Sequence, residues 1–234
     1  MSVNPPKGVE FLPGDGLADA LEKAAPFSAR AETRFALQQV EVRLGDKPRV
    51  TATDGKCLYM ETLPKGLAKP VKLLIPPTRV FHVQNTVALI QEVAVTPEPV
   101  FLRGDGIALA LRVGAGAFPD VDEVIPRKFH GRIPLPEGVR ARLYRDLPRF
   151  TEQVDLRVHK GRAMLCPVGE KMAPILWEVP LTSPDVRLRV DRALLRQCLA
   201  VPVESLAWAE QPGPIVFHGA QERRRVVLMP IGGD

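Results

Sequence analysis

Cysteine is scarce in this chain, with three among 234 residues: Cys57, Cys166 and Cys198. They lie far apart, with no C-x-x-C pair, and this odd, sparse count fits a reduced, cytoplasmic protein better than a disulfide-stapled one. Aromatic residues make up only 6% of the chain. That leaves no series of rings on which successive bases would stack. No run approaches the roughly 20 apolar residues of a membrane helix, and Met1 to Gly8 lacks the apolar core of a signal peptide, so no membrane partner is expected. The four histidines, His82, His130, His159 and His218, fall in different segments with no metal-ligand spacing, which points to no metal site. Gly104-Asp105-Gly106 and Gly114-Ala115-Gly116 lack the strand–loop–helix setting of a phosphate loop and read as turns. Carboxylates nowhere cluster as an acid/base pair. The chain therefore reads as a protein without catalytic residues and without a cofactor.

The remaining composition is that of a folded protein, with 45% hydrophobic and 25% charged residues and 24 scattered prolines that punctuate turns. The length suits one large domain or two of about 115 residues. Charge differs between the halves. Residues 1–126 carry 14 Lys and Arg against 15 Asp and Glu, a net of −1; residues 127–234 carry 18 against 12, a net of +6. A basic half attracts an anionic partner such as nucleic acid, and it equally serves solubility.

Periodicity divides the chain into two similar series. Lys7–Leu12 reads as a strand ended by Pro13, and Asp15 as the cap of a helix over Gly16–Ala25. Strands are expected over Arg34–Leu44, Arg49–Glu61 and Val71–Ile75, a helix over Arg79–Ile90, and strands over Glu92–Thr96, Val100–Arg103 and Ile107–Val113. Asp54-Gly55 is a hairpin signal of type I′, which needs φ > 0 at both central residues. The second series has a helix over Val139–Leu147, ended by Pro148, then strands Val154–His159, Ala163–Pro167, Ile175–Pro180 and Val186–Val190. A helix over Arg192–Ala200 capped by Asp191 follows, then strands Ser205–Ala209, Ile215–Gly219 and Arg225–Met229. Two helices with about eight strands, occurring twice, make a duplicated α+β unit rather than a βαβ alternation. The divide falls in the Pro- and Gly-containing stretch Pro126–Pro136, giving expected domains 1–128 and 129–234.

The helices carry a basic pattern. Arg142 and Arg145 lie i,i+3 on one face, with Arg149 extending the row, and Leu143 and Leu147 form the apolar stripe. Arg192 and Arg196 lie i,i+4, opposite Leu195 and Leu199. Lys23 and Arg79, with His82, occupy comparable outer positions in the first half. Such faces are either solvated surface or a lining for sequence-independent contact with duplex phosphate.

Four short motifs run in order: Phe27-Ser28 leading to Thr33-Arg34-Phe35-Ala36-Leu37; Ala52-Thr53-Asp54-Gly55-Lys56; Phe118-Pro119-Asp120 with Val124-Ile125-Pro126; and Val227-Leu228-Met229-Pro230. Together they resemble the second and third domains of the bacterial sliding clamp, the beta subunit of DNA polymerase III, over about residues 8 to 230. The sequence departs from that family in three places. It has no room for the first domain, Lys56 stands where His or Arg is common, and the tail reads Ile231-Gly232-Gly233-Asp234. The resemblance implies two clamp-type α+β domains, each with two helices packed on antiparallel sheets. It also implies a non-enzymatic clamp that encircles duplex DNA and tethers DNA polymerase, clamp loader and repair factors through linear peptide motifs. Leu37, Thr53, Lys56, Leu58, Pro126, Val227 and Met229 match family positions lining the peptide pocket between two domains. Family rings contain six such domains, so a homotrimer is expected; the alternative is a clamp-like scaffold that binds partner peptides without encircling DNA.

Overall fold

The computed structural model describes residues 7, 9, 11–14, 16–30, 35–64, 70–78, 90–96, 99–147, 151–169, 173–210 and 213–231. Contacts divide the chain into two units, Met1–Pro119 and Asp120–Asp234. The architecture is mixed α+β with antiparallel sheets.

In the first unit the elements are β1 (Leu12–Pro13), α1 (Leu17–Ala24), β2 (Val40–Leu44), β3 (Arg49–Thr53), β4 (Cys57–Thr62), β5 (Val71–Ile75), β6 (Ile90–Val95), β7 (Val100–Gly104) and β8 (Ile107–Leu111). The strands form two antiparallel ladders, ordered β1-β6-β7-β8 and β5-β2-β3-β4. Helix α1 buries Leu17, Ala18, Ala20, Leu21 and Ala24 against β3 and β4. Its small residues let the helix approach the sheet closely, and the Phe27 and Tyr59 rings meet at 5.3 Å beside it.

The second unit contains β9 (Gly131–Pro134), α2 (Glu137–Asp146), β10 (Gln153–His159), β11 (Arg162–Pro167), β12 (Ile175–Glu178), β13 (Val186–Asp191), α3 (Arg192–Ala200), β14 (Ser205–Trp208), β15 (Ile215–His218) and β16 (Arg224–Leu228). Its ladders run β12-β11-β10-β13 and, within the unit, β16-β15-β14-β9. In each unit the first strand pairs the sixth, the sixth to eighth form a meander, and the second lies between the third and fifth. The expected duplication is therefore present in the strand order itself. Leu135, Leu143, Leu156, Trp177, Leu195 and Phe217 meet in the core of this unit.

Several local expectations are corrected. Phe35–Gln38 is a 3-10 turn rather than strand, and the strand begins only at Val40. The first strand is Leu12–Pro13, so it includes Pro13, which an outer strand tolerates because among the described strands its missing N–H faces no neighbour. Gly131–Pro134, expected as linker, is β9; Gly131 is required there because a Cβ would meet the Trp208 ring at 2.2 Å. The Asp54-Gly55 hairpin forms, with Thr53 opposite Leu58, but only Gly55 has positive φ, at 91°. The type I′ expectation fails because Asp54 instead accepts from the amides of Lys56 and Cys57 through Oδ1, at 2.8 and 2.7 Å. The N-cap of α1 is Gly16 at φ 75°, without a side-chain cap, and Asp15 lies outside the described residues. The expected helix Arg79–Ile90 also lies outside them, except that Ile90 opens β6. By contrast α3 has the expected bounds, with Asp191 Oδ1 accepting from Leu194 N at 3.0 Å.

Candidate nucleic-acid and peptide-binding surfaces

Helix α2 is short, flanked by Pro136, and anchored through Leu143, with Leu147 buried just beyond it. Its outer face carries Arg142 and Arg145, with side chains 54% and 74% exposed. Asp146 answers both. Its Oδ1 accepts from Arg145 Nε at 2.8 Å, and Arg142 Nε lies 3.9 Å from Oδ2. The hydrogen bond from Arg145 holds the Asp146 carboxyl below its ordinary range.

Arg192 and Arg196 on α3 serve the unit itself. Arg192 Nε donates to the Thr151 carbonyl at 3.0 Å, and Arg196 Nε donates to the Tyr144 carbonyl at 3.3 Å. The Arg196 guanidinium also lies 4.5 Å over the Tyr144 ring, which couples α3 to α2. Each guanidinium has five N–H donors, so one such bond does not exhaust it. Lys23 ion-pairs with Asp19 one turn earlier on α1. Arg79, His82 and Arg149 lie outside the described residues.

Sequence reasoning missed Arg140. Its Nη1 donates to the Leu199 carbonyl at 2.6 Å, satisfying a group at the end of α3 that has no helical partner.

The expected peptide-contacting residues divide by unit. In the first, Leu37 sits half-buried in the 3-10 turn, and its carbonyl accepts from Ala29 N at 2.7 Å. Thr53 and Leu58 are cross-strand partners at the hairpin base, both buried. Thr53 Oγ1 donates to the Cys57 carbonyl at 2.6 Å and accepts from Gly55 N at 3.0 Å. Lys56 stands exposed at the hairpin tip. In the second unit Pro126 is half-buried, Val227 is buried on β16 opposite Val216, and Met229 just beyond that strand is 43% exposed.

The strongest electrostatic feature lies on the sheets. Asp155 on β10 is 2% exposed and accepts from three guanidinium groups. Arg157 Nη2 and Arg187 Nη2 lie 3.0 and 2.7 Å from Oδ2, and Arg189 Nε lies 2.9 Å from Oδ1. Burial raises the Asp155 carboxyl, and the hydrogen bonds from Arg189, Arg157 and Arg187 outweigh it, so that it sits at about 2. The first unit has a counterpart. Buried Glu41 on β2 pairs with Arg43 two residues on, at 2.8 Å, and with Lys72 of β5 at 2.7 Å. The alternation Arg187-Leu188-Arg189-Val190-Asp191 was the available sequence signal, since period two places its charged side chains on one face. His218 on β15 is also nearly fully buried, with its ring 5.4 Å from Phe129 in an edge-on contact. Burial, then the nearby Arg132 charge, pushes its imidazole down to about 4.

Among the described residues no group of three or more His, Cys, Asp and Glu side chains is placed to hold a metal ion, and no helix is long and apolar enough to cross a membrane.

This arrangement of two duplicated α+β units has the fold of the bacterial DNA polymerase III beta sliding clamps. The DNA polymerase III beta chain of Streptococcus pneumoniae superposes on all of this chain and 67% of its own length, with a TM-score of 0.80 and 19% identity. The beta subunit of Thermotoga maritima matches over 100% of this chain and 68% of its own, at 0.80 and 17%. The sliding clamp of Pseudomonas aeruginosa bound to griselimycin matches over the same shares, at 0.80 and 15%. No protein-family model and no curated protein matches the sequence.

Proposed function

We propose that this chain is a clamp-type processivity factor, a non-enzymatic tether. In this reading three copies close into a ring around duplex DNA, and the ring holds DNA polymerase and clamp loader by short peptide motifs. The observation that carries the reading is the superposition of all of this chain on about two thirds of a beta sliding clamp, combined with the same strand order in both units. A peptide-binding role fits Met229 and Lys56, the exposed members of the expected set, because Met adapts to varied apolar partners and Lys orients a polar end. A DNA-lining role fits Arg142, Arg145, Arg192 and Arg196, helped by Lys23, Arg79 and Arg149, since clustered cations release counterions from phosphate.

Light scattering tests the assembly: a trimer has three times the 25.7 kDa of one chain. Replacing Arg142, Arg145, Arg192 and Arg196 by Glu is expected to weaken duplex binding equally for all sequences and to flatten its salt dependence, by about one unit of log–log slope per lost contact. A strict monomer whose duplex binding ignores these changes favours the second reading, a scaffold that binds peptides without encircling DNA. The observation favouring that reading is that Asp146 already answers Arg142 and Arg145, while Arg192 and Arg196 bind carbonyls of their own unit.

A further inference from the structure

The sheet β12-β11-β10-β13 presents a face unlike its counterpart in the first unit. Cross-strand partners share a face, and the register sets Arg187 beside Arg157, Arg157 beside Met164, and Met164 beside Leu176. One row across four strands thus runs from two guanidinium groups to two apolar side chains. Arg189 joins the basic end through Asp155, so that one buried carboxylate is shared by three guanidinium groups, and Asp191 follows Arg189 on the same face. All three guanidinium groups reach solvent, and the shared carboxylate holds them in place, so little rotamer freedom is lost when a ligand binds. Leu176, at the other end, is 47% exposed. The next row is close to neutral: His159 pairs with Asp185 at 2.6 Å, and Arg162 stands between His159 and Glu178. The equivalent row of the first unit is Lys72, Arg43, Arg49 and Thr62, which has no apolar end.

We propose that this face of the second unit docks a linear peptide of a partner protein, with carboxylates at Arg187 and Arg157 and an apolar side chain at Met164 and Leu176. Three strand spacings separate Arg187 from Leu176, roughly 14 Å, which an extended peptide spans in about four residues. Nucleic acid fits the face less well. None of its members is Phe, Tyr or Trp for a base to stack on, and a phosphate backbone leaves Met164 and Leu176 without an apolar partner. The proposal does not depend on the clamp reading, since it concerns neither ring closure nor the helix faces.

Fluorescence anisotropy of the full chain tests it, using a labelled peptide with paired glutamates followed, about four residues on, by paired leucines. Leu176→Asp and Arg187→Ala are each expected to weaken binding about tenfold, the former by losing apolar contact and the latter by losing a charge-assisted bond. Leu176 is exposed, so that variant keeps its fold, which its unfolding curve verifies; it decides the matter should Arg187→Ala fail to fold. Unaltered affinity in Leu176→Asp overturns the proposal, and so does equal binding of a peptide with serines for leucines, which reduces the effect to charge attraction. A single-stranded oligonucleotide whose binding falls equally on Leu176→Asp assigns the face to nucleic acid instead. Absent peptide binding, together with a loss of solution mass on Leu176→Asp, assigns it to a second copy of this chain.

Discussion

The two units share one strand order, yet they solve the same electrostatic problem differently. In the first, buried Glu41 meets an arginine on its own strand and a lysine from β5. In the second, shorter Asp155 meets three arginines, one on its own strand and two from β13. The fork of a guanidinium lets several donors converge on one carboxylate, where an ammonium offers only a point charge. The helices diverge in the same sense. Helix α1 is seated by small and apolar residues over most of its surface, whereas α2 buries Leu143 and is tied to α3 by Arg140 and Arg196. One fold thus tolerates an apolar and a basic way of seating its helices, because the sheet order depends on backbone pairing and the core stripe, not on the outer faces.

The contrast should be most visible in acid. His218 has no described counterpart in the first unit. Its folded value, about 4, lies below the unfolded value of about 6.5, so its stabilisation is complete above pH 6.5 and lost as pH falls toward 4. The loss amounts to about 3 kcal/mol. His218→Phe is expected to flatten the urea-unfolding free energy across that window; a slope identical to that of the parent chain would show that another group titrates there.

Asp155 follows in size. Its depressed carboxyl stabilises the fold above about pH 4, and that stability is lost as pH falls through about 2. Asp155→Asn should therefore cost about 2 kcal/mol at neutral pH; Glu41→Gln, which loses two ion-pair partners rather than three, should cost less. Denaturant midpoints of the two variants compare the units directly, and a larger cost for Glu41→Gln would reverse the ranking.

The smallest effect concerns the helix starts. Asp191→Ala removes the side-chain cap of α3 and is expected to cost about 1 kcal/mol. Gly16→Ala forces an L-residue into positive φ at the start of α1 and should cost about 1–2 kcal/mol by strain, with nothing among the described residues closer than 4.0 Å to clash. Thermal unfolding distinguishes the two, since Asn at 191 restores the first and Asn at 16, which tolerates the left-handed region, relieves part of the second.

Much of the fold was legible. Strands such as Val71–Ile75 and the capped helix after Asp191 carry their signals within a few residues. The misreadings have local causes. Phe35–Gln38 is apolar enough to pass for strand, yet it closes a 3-10 turn, and Gly131–Pro134 has the composition of a linker and becomes β9 only by pairing with β14. The site was less legible. Arg140 reads as one more surface cation on α2, because its partner carbonyl lies at Leu199, far along the chain.

By itself the sequence determined the alternation of elements, the duplication and the excess of positive charge in the second half, since periodicity, capping and composition are local or additive. Tertiary structure alone decided which charges are shared. Asp155, Arg157, Arg187 and Arg189 converge because β10 pairs with β13 in one register, and a slip of one residue would turn half of them into the core. The same register brings Met164 and Leu176 into line with Arg157, and a row formed from four strands is a property that no single segment of the chain contains.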